Sequence, residues 1–336
     1  MRSRAGEAVP VIPKVELHLH LEGAAPPEFI RRLADERRQR LVGVFDEDGA
    51  YRFTDFANFL AVYEAATSVL RTPADYHRLT LAVLERQAAE GVIYSEIFLS
   101  PDFCGGGDLG AWRDFLAAIR EAATIAEDRW DTRMRGIVTC IRHLGPDVAR
   151  RAALCAAETA DDWLVGFGIA GEERRGTPGD FAYAFDMARE AKLGLTAHAG
   201  EWAGPDSVRA ALDDLRVSRV GHGVRAIEDP ALVDRLAEDG VVLEVCPGSN
   251  IALGLYPSWD RHPVARLHDK GVRVTLSTDD PPFFRTTISR EYDRLAEAFG
   301  WDAAVFRSLN RTAAEAAFCD DATRAALLKL LEPEDD

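Results

Sequence analysis

The stretch PKVELHLHLEG, residues 13–23, is a short apolar run whose last positions are polar. Seven further apolar, β-branched runs follow it, and longer stretches with helical periodicity separate them. This alternation is typical of parallel strands joined by crossover helices, and eight strands favour a closed (β/α)8 TIM barrel of the α/β class. The predicted strands are Val15–Leu19, Val92–Leu99, Gly136–Ile141, Leu164–Ala170, Gly194–Ala199, Arg219–Gly223, Val241–Cys246 and Val272–Ser277.

Helical segments fill the spaces between these runs, and residues 1–336 are predicted to form a single domain. Three segments connect the later strands, namely Asp147–Ala160, Phe181–Lys192 and Ala231–Asp239. The long gap after the first strand holds three more, interpreted as an insertion over one barrel end, where it could act as a lid: Glu28–Gln39, Phe56–Ser68 and Ala74–Glu90. A helical C-terminus is predicted over Thr287–Phe299, Ala303–Asn310 and Ala313–Leu331.

Charge and composition limit the partners. The chain carries 56 acidic and 40 basic side chains, a formal net charge of -16, so nucleic acid and anionic membrane surfaces are not expected partners. The Met1–Pro10 stretch is polar and no later run approaches the roughly 20 apolar residues that span a bilayer, which predicts a cytoplasmic location. The five cysteines are scattered, so neither structural disulfides nor thiolate zinc sites are expected.

Polar residues gather where the predicted strands end, which is where TIM barrels place their active sites. Four of the eight histidines occupy such ends. The candidates after the first, fourth, fifth, sixth and eighth strands are, in that order, His18 and His20; Gly171 and Glu172; His198 and Glu201; His222; and Asp279 and Asp280.

This pattern suggests a metal-dependent enzyme. His18 and His20 are two residues apart on a strand, so they point the same way and can approach one ion. Imidazole nitrogens suit zinc, and His198 and Asp279 are natural further ligands. Glu201, three residues past His198, is a candidate general acid.

Each signal also has a structural interpretation. An isolated H-x-H pair is as often structural as metal-binding, and His222 between two glycines could be a turn residue. Glu201 could be a surface carboxylate, and Asp279 and Asp280 could cap the segment that begins at Pro281. The remaining histidines, interpreted as structural or exposed, are His77, His143, His262 and His268.

Five sequence blocks together resemble the adenosine deaminase branch of the amidohydrolase superfamily. They are residues 13–23, 169–173, 198–201, 220–223 and 277–281, and they occur in the order found in that family. The resemblance implies one zinc ion per subunit, held by His18, His20, His198 and Asp279. The fourth predicted strand has no lysine, so a carbamylated lysine bridging two metals has no source there.

The resemblance also implies roles for individual residues. Glu201 would share a proton with N1 of the purine, and Asp280 would bond N7. Gly171 would offer its backbone to the ring, and His222 would orient the attacking hydroxide beside Asp279. The substrate-binding set would be completed by His20 and Glu22.

The reaction implied is the conversion of adenosine, and of 2′-deoxyadenosine, to inosine and ammonia in purine salvage. Two positions depart from the family's common pattern: Glu22 stands where many members have Asp contacting the ribose, and Ser277 replaces a frequent Asn. Glu at this place is also familiar in relatives that deaminate free adenine or modified aminopurines. Because Ala170-Gly171 resembles the nucleoside enzymes, we predict adenosine as substrate, with free adenine or a modified 6-aminopurine as the alternative.

Two other classes of function remain open at this point. H-x-H strand ends also serve metal-dependent hydrolysis of esters and phosphoesters, although those sites usually gather two metals. A non-catalytic purine sensor could keep the same fold. If the protein is a deaminase or a purine sensor, the expected partner is a small purine nucleoside or base.

Overall fold

The computed structural model describes residues 12–332, and it contains the predicted TIM barrel. Eight parallel strands follow one another around the sheet in sequence order. The last strand meets the first through backbone bonds, from His20 N to Asp279 O (3.1 Å) and from Asp279 N to His18 O (3.1 Å). The strands are β1 Lys14–His20, β2 Val92–Leu99, β3 Arg133–Ile141, β4 Leu164–Ala170, β5 Gly194–Ala199, β6 Arg219–His222, β7 Val242–Val245 and β8 Arg273–Leu276.

All eight predicted strands are therefore confirmed, because strands buried on both faces stand out as continuous apolar runs. In β4 every residue of LVGFGIA is buried. The pattern is less informative at the strand ends: β3 begins at Arg133 rather than at Gly136, because its first residues pair with β2 while Arg133 and Arg135 interrupt the apolar run with partly exposed side chains.

Three helices form the insertion between β1 and β2, as predicted: α1 Pro27–Glu36, α2 Phe56–Thr67 and α3 Pro73–Ala89. The side chain of Asp55 caps α2 by accepting from Asn58 N, and Thr72 begins α3 in a capping box with Asp75. Helix α2 lies beside the carboxyl ends of the strands, where the Phe56 ring packs at 4.6 Å from Trp202. The insertion thus contacts the loop that follows β5.

The remaining helices surround the barrel. The prediction did not name α4, the longest of them, which begins after the Gly105–Gly107 loop at an Asp108 cap. No helix within residues 12–332 is both long and apolar enough to cross a membrane. The helices are α4 Leu109–Trp130, α5 Pro146–Ala157, α6 Ala182–Glu190, α7 Pro205–Asp214, α8 Pro230–Glu238, α9 Pro247–Ala252, α10 Val264–Asp269, α11 Pro281–Phe284, α12 Ile288–Phe299, α13 Ala303–Ala316 and α14 Asp321–Leu330.

The C-terminal helices confirm the predicted helical end but correct one boundary. The predicted break after Asn310 is wrong: α13 continues to Ala316, because Asn310 bonds within the helix to Phe306 O and also accepts from Val15 N of β1. The chain breaks instead before α14, where the Asp320 side chain caps Thr323 N. The predicted polar leader Met1–Pro10 lies outside the described residues.

Candidate active site

A cavity of about 560 Å³ opens at the carboxyl ends of the strands, with α2 forming part of its wall. Eight of the nine predicted site residues line it, and the ninth, His18, lies buried beneath them. The structure thus brings together side chains that are up to 262 positions apart in the chain (18 to 280). The lining residues used below are His20, Glu22, Phe56, Tyr63, Gly171, His198, Glu201, His222, Asp279 and Asp280.

Ring nitrogens and a carboxylate converge at the base of this cavity. His20 Nε2 lies 3.2 Å from His198 Nε2 and 3.3 Å from Asp279 Oδ1. His18 Nε2 lies 3.5 Å from the same carboxylate oxygen. His222 Nε2 is more distant, at 3.9 Å from the other oxygen, Oδ2.

These separations fit one divalent metal ion. Four ligands around a tetrahedral zinc with 2.0–2.1 Å bonds stand about 3.3 Å apart, and the His20–His198, His20–Asp279 and His18–Asp279 separations of 3.2, 3.3 and 3.5 Å are close to this value. His18 Nε2 is buried and has no hydrogen-bond partner among the described residues, which a metal bond would remedy. His18, His198, His222 and Asp279 also form a compact set within 4.8 Å, so the role of His222 needs a separate argument.

Unusual backbone at two strand ends aims these groups inward. His222 and Asp279 adopt positive φ angles of 60° and 66°, a conformation that is uncommon for non-glycine residues. Gly221 allows the close packing of the histidines, because a Cβ there would lie 2.8 Å from His18 Cε1. The glycine before His222 therefore serves packing around the candidate ligands.

A buried charge network, which the sequence reasoning missed, holds His18. Its Nδ1 lies 2.8 Å from Glu244 Oε2, and Arg219 bridges Glu244 to Glu96 with 2.6 Å contacts to each. A carboxylate on the far nitrogen fixes the ring orientation and leaves Nε2 for the metal. The signal in the sequence was the polar residues inside the otherwise apolar runs of β2, β6 and β7.

Replacing Glu244 by Gln should weaken metal binding by about 10–100-fold, because the charged partner of a ligating histidine is lost. Chelator competition with zinc would measure this loss. The matched control is Glu238→Gln on the exposed face of α8. If the zinc affinity of the two variants is the same, Glu244 does not support the metal site.

Asp279 is held by a second group that the sequence reasoning missed. The Ser249 hydroxyl donates to Asp279 Oδ2 at 2.7 Å, and both groups are buried. Because this bond occupies Oδ2, it leaves Oδ1 facing His18 and His20. Ser249 lies in the short helix α9, one turn past the end of β7, a position that no apolar pattern marks.

Glu201 faces the same cavity from the loop after β5. Its Oε2 lies 3.8 Å from His222 Nε2. Burial raises the pKa of this carboxyl well above its usual range, and the nearby Asp279 and Glu173 carboxylates raise it further. A raised pKa favours the protonated form of the carboxyl, in which it can donate a proton.

The loop that carries Glu201 is pinned by Glu173. The two carboxylate oxygens of Glu173 accept from four consecutive backbone N–H groups, those of residues 200–203, at 2.6–3.1 Å. Such a set of charge-assisted bonds fixes the loop, and with it the direction of the Glu201 side chain. Glu173 belongs to the sequence block 169–173, but the sequence alone assigned it no role.

Two more carboxyl groups, those of Asp280 and Glu22, line the cavity. Asp280 Oδ1 is buried and has no partner within the described chain, and it fits against Gly23, where any Cβ would lie 1.5 Å away. Glu22 accepts a 2.9 Å bond from the Tyr76 hydroxyl, and burial raises its pKa to about 7. Both carboxyls can therefore present a proton to a bound molecule.

Two of the histidines interpreted as structural or exposed lie at or near the cavity. His143 lines the cavity next to Gly171, where its Nδ1 accepts from Glu172 N at 3.3 Å. His262 is buried and is linked to the site through Asn250. His77 lies half-buried on α3, and His268 packs near Trp301, as structural or exposed residues do.

Comparison with known proteins agrees with this fold. A family model for adenosine deaminase matches residues 13–333. A protein named adenine deaminase, from Rhizobium leguminosarum bv. trifolii, is 50% identical over 321 residues, covering 95% of this chain and 98% of that protein. The structure of an adenine deaminase from Arthrobacter aurescens is 30% identical, with a TM-score of 0.86 over 95% of this chain and 98% of that one.

A second solved structure, an amidohydrolase from Burkholderia ambifaria with bound zinc, is 28% identical. It has a TM-score of 0.87 and covers 98% of this chain and 94% of that one. The family match over nearly the whole chain and the half-identical relative confirm the resemblance seen in the five sequence blocks. The chain therefore belongs to the adenosine deaminase family.

Proposed function

We propose that this chain catalyses the hydrolytic deamination of free adenine to hypoxanthine and ammonia. The observation that carries the reaction type is the position of Glu201, a buried acid that shares one cavity with the histidine and aspartate cluster. The choice of adenine as the proposed substrate rests on eight relatives, 45–51% identical, that are all named adenine deaminase.

The prediction of adenosine as the substrate is wrong, since these relatives support the alternative stated beside it. We attribute the difference to Glu22, which stands where many family members have Asp contacting a ribose and whose side chain is one methylene longer. Glu22 is buried and bonded to Tyr76, so it fills part of the wall. The likeness of Ala170-Gly171 to nucleoside enzymes was the misleading signal.

The proposed cofactor is one zinc ion per chain, bound by His18, His20, His198 and Asp279. Nitrogen and oxygen donors at these separations suit zinc, and a relative of the same fold was crystallised with zinc. When bound, zinc supplies an activated water as the nucleophile for C6 of the purine.

The residues of the chain would manage the protons of the reaction. Attack at C6 leaves negative charge on the ring unless N1 is protonated, and Glu201 donates that proton from a site where burial keeps it neutral. The C6 carbon becomes tetrahedral, and the amino group leaves as ammonia after it takes up a proton. One water is consumed for each ammonia released, so the atoms balance.

The remaining polar groups would hold the base in the plane that this chemistry needs. Asp280, whose pKa burial raises well above its usual range, donates to N7. The backbone at Gly171 approaches the ring edge, since its φ of 94° and the adjacent His143 leave no room for a side chain. Glu22, which also lines the cavity, bonds the edge that carries the sugar in a nucleoside.

Steady-state ammonia release from adenine, adenosine and 2′-deoxyadenosine tests the proposal. We expect kcat/KM for adenine to exceed that for either nucleoside by at least about 100-fold, because a ribose would leave the buried Glu22 carboxyl without a proper partner. Zinc-loaded protein and a coupled ammonia assay are sufficient. Equal or faster deamination of adenosine would contradict the proposed substrate.

A further inference from the structure

His222 has two ring nitrogens in very different surroundings. Nε2 faces the cavity between Glu201 Oε2 (3.8 Å) and Asp279 Oδ2 (3.9 Å), and it has no hydrogen-bond partner within residues 12–332. Nδ1 faces away from the cavity and lies 3.3 Å from Asn250 Nδ2. Which nitrogen carries the proton decides whether His222 can donate into the site or bind a metal there.

The position of the proton on His222 can be traced from a group that can only donate a hydrogen bond. The backbone N–H of Val264, at the start of α10, can only donate, and it points at His262 Nδ1 from 3.2 Å. His262 Nδ1 must therefore offer a lone pair, so that the proton of the neutral ring is on Nε2. That nitrogen lies 3.1 Å from Asn250 Oδ1.

The donor at His262 in turn fixes the amide of Asn250. With Oδ1 accepting from His262, the Asn250 NH2 group is directed at His222 Nδ1. The flipped amide would place an N–H donor against the N–H of His262, leaving two buried donors facing each other. His222 Nδ1 therefore accepts, and the proton of His222 is on Nε2.

We infer that the chain of bonds from Val264 N through His262 and Asn250 holds His222 as the neutral tautomer protonated on Nε2. His222 is then a hydrogen-bond donor aimed into the cavity, and it is not a metal ligand even though it lies close to the others. Asn250 and His262 are positioning residues. The use of this donor, to hold the oxygen that attacks C6, rests on the proposed function; the tautomer itself does not.

Burial protects the hydrogen bonds that link His262, Asn250 and His222 from competition by water. Asn250 and His222 are 0% exposed and His262 is 2% exposed, so solvent competes little for these bonds. Burial lowers the pKa of His262 to about 3, which keeps the ring neutral over the working range of the protein. A directional chain of this kind can transmit a preference over two side chains.

Nitrogen-15 NMR of the zinc-loaded protein with labelled histidine tests the tautomer directly, because protonated and unprotonated ring nitrogens resonate in separate ranges. The His222 signals are assigned by their loss in His222→Gln. We expect His222 Nε2 in the protonated range and Nδ1 in the unprotonated range. The reverse assignment, or a zinc-bound Nε2, would overturn the inference without reference to any substrate.

Two nearly isosteric variants test the relay. Asn250→Asp replaces the donor that faces His222 by an acceptor, so Nδ1 of His222 should become protonated and kcat for adenine should fall by about 10²–10³-fold, with KM within about threefold. His262→Gln keeps an N–H donor for Asn250, so kcat should stay within about fivefold and the His222 tautomer should be unchanged.

These outcomes separate the relay from the proposed substrate. An Asn250→Asp protein in which His222 Nδ1 stays unprotonated, or in which kcat is unaltered, contradicts the relay. A wild-type protein inactive on adenine but with Nε2 of His222 protonated contradicts the proposed function alone. Zinc content measured in each variant shows whether the site is still loaded.

Discussion

Replacing Glu201 by Gln is expected to lower kcat for adenine by about 10²–10⁴-fold, the usual contribution of a general acid. Gln keeps the size and polarity of the side chain, and the loop stays pinned by Glu173 because its bonds are to backbone N–H groups. What is lost is the transferable proton. Zinc content should stay at one per chain and the affinity for adenine within about tenfold.

Steady-state kinetics measures kcat, elemental analysis measures zinc content, and calorimetric titration measures the affinity for adenine, all on one preparation. Glu238→Gln, an exposed position on α8, is the matched control and should keep wild-type kcat. A Glu201→Gln protein that turns over adenine at the control's rate would remove Glu201 from the proton transfer.

Replacing His18 by Ala is expected to abolish both metal binding and turnover. Changing a group that only supports a ligand costs 10–100-fold in metal affinity, so losing a ligand itself should cost more than about 100-fold. Ala also leaves Glu244 without its 2.8 Å partner in a fully buried position. Zinc stoichiometry after gel filtration should fall from one towards zero.

His77→Ala, half-buried on α3 and remote from the cavity, provides the comparison for this variant. Circular dichroism of both proteins shows whether the barrel has formed. A folded His18→Ala protein that retains one tightly bound zinc per chain would exclude His18 from the ligand set.

The barrel was predictable because its strands are buried on both faces and its helices on one. The strands therefore appear as continuous apolar runs and the helices as apolar residues at helical spacing, and both patterns are visible in a single sequence. The eight strands and three insertion helices were located in this way. The boundary at Asn310 was not, because its polar side chain suggests a break while its partners, Val15 N and Tyr292 Oη, come from distant parts of the chain.

The candidate site was only partly predictable. Residues at strand ends could be proposed because a parallel barrel brings those ends together. The supporting groups Glu244, Ser249 and Asn250 could not, since each acts through a contact 28 to 226 positions away in the chain. A polar residue inside an apolar strand, such as Glu244 in β7, is the one signal that could have indicated a supporting role.

The substrate is the feature that pattern reasoning resolves least well. Asp and Glu differ by one methylene, and Glu22, at the position where many family members have Asp, is buried and bonded to Tyr76. The likeness at Ala170-Gly171 favours a nucleoside and Glu22 is compatible with the alternative, and the names of the half-identical relatives support the alternative.

The most direct test of the central claim is the reaction of zinc-loaded protein with adenine in ¹⁸O-labelled water, followed by mass spectrometry and ammonia assay. We expect hypoxanthine that carries one ¹⁸O atom at C6, with one ammonia released per adenine consumed. Adenine recovered unchanged from fully zinc-loaded protein would contradict the assignment of this site to adenine deamination.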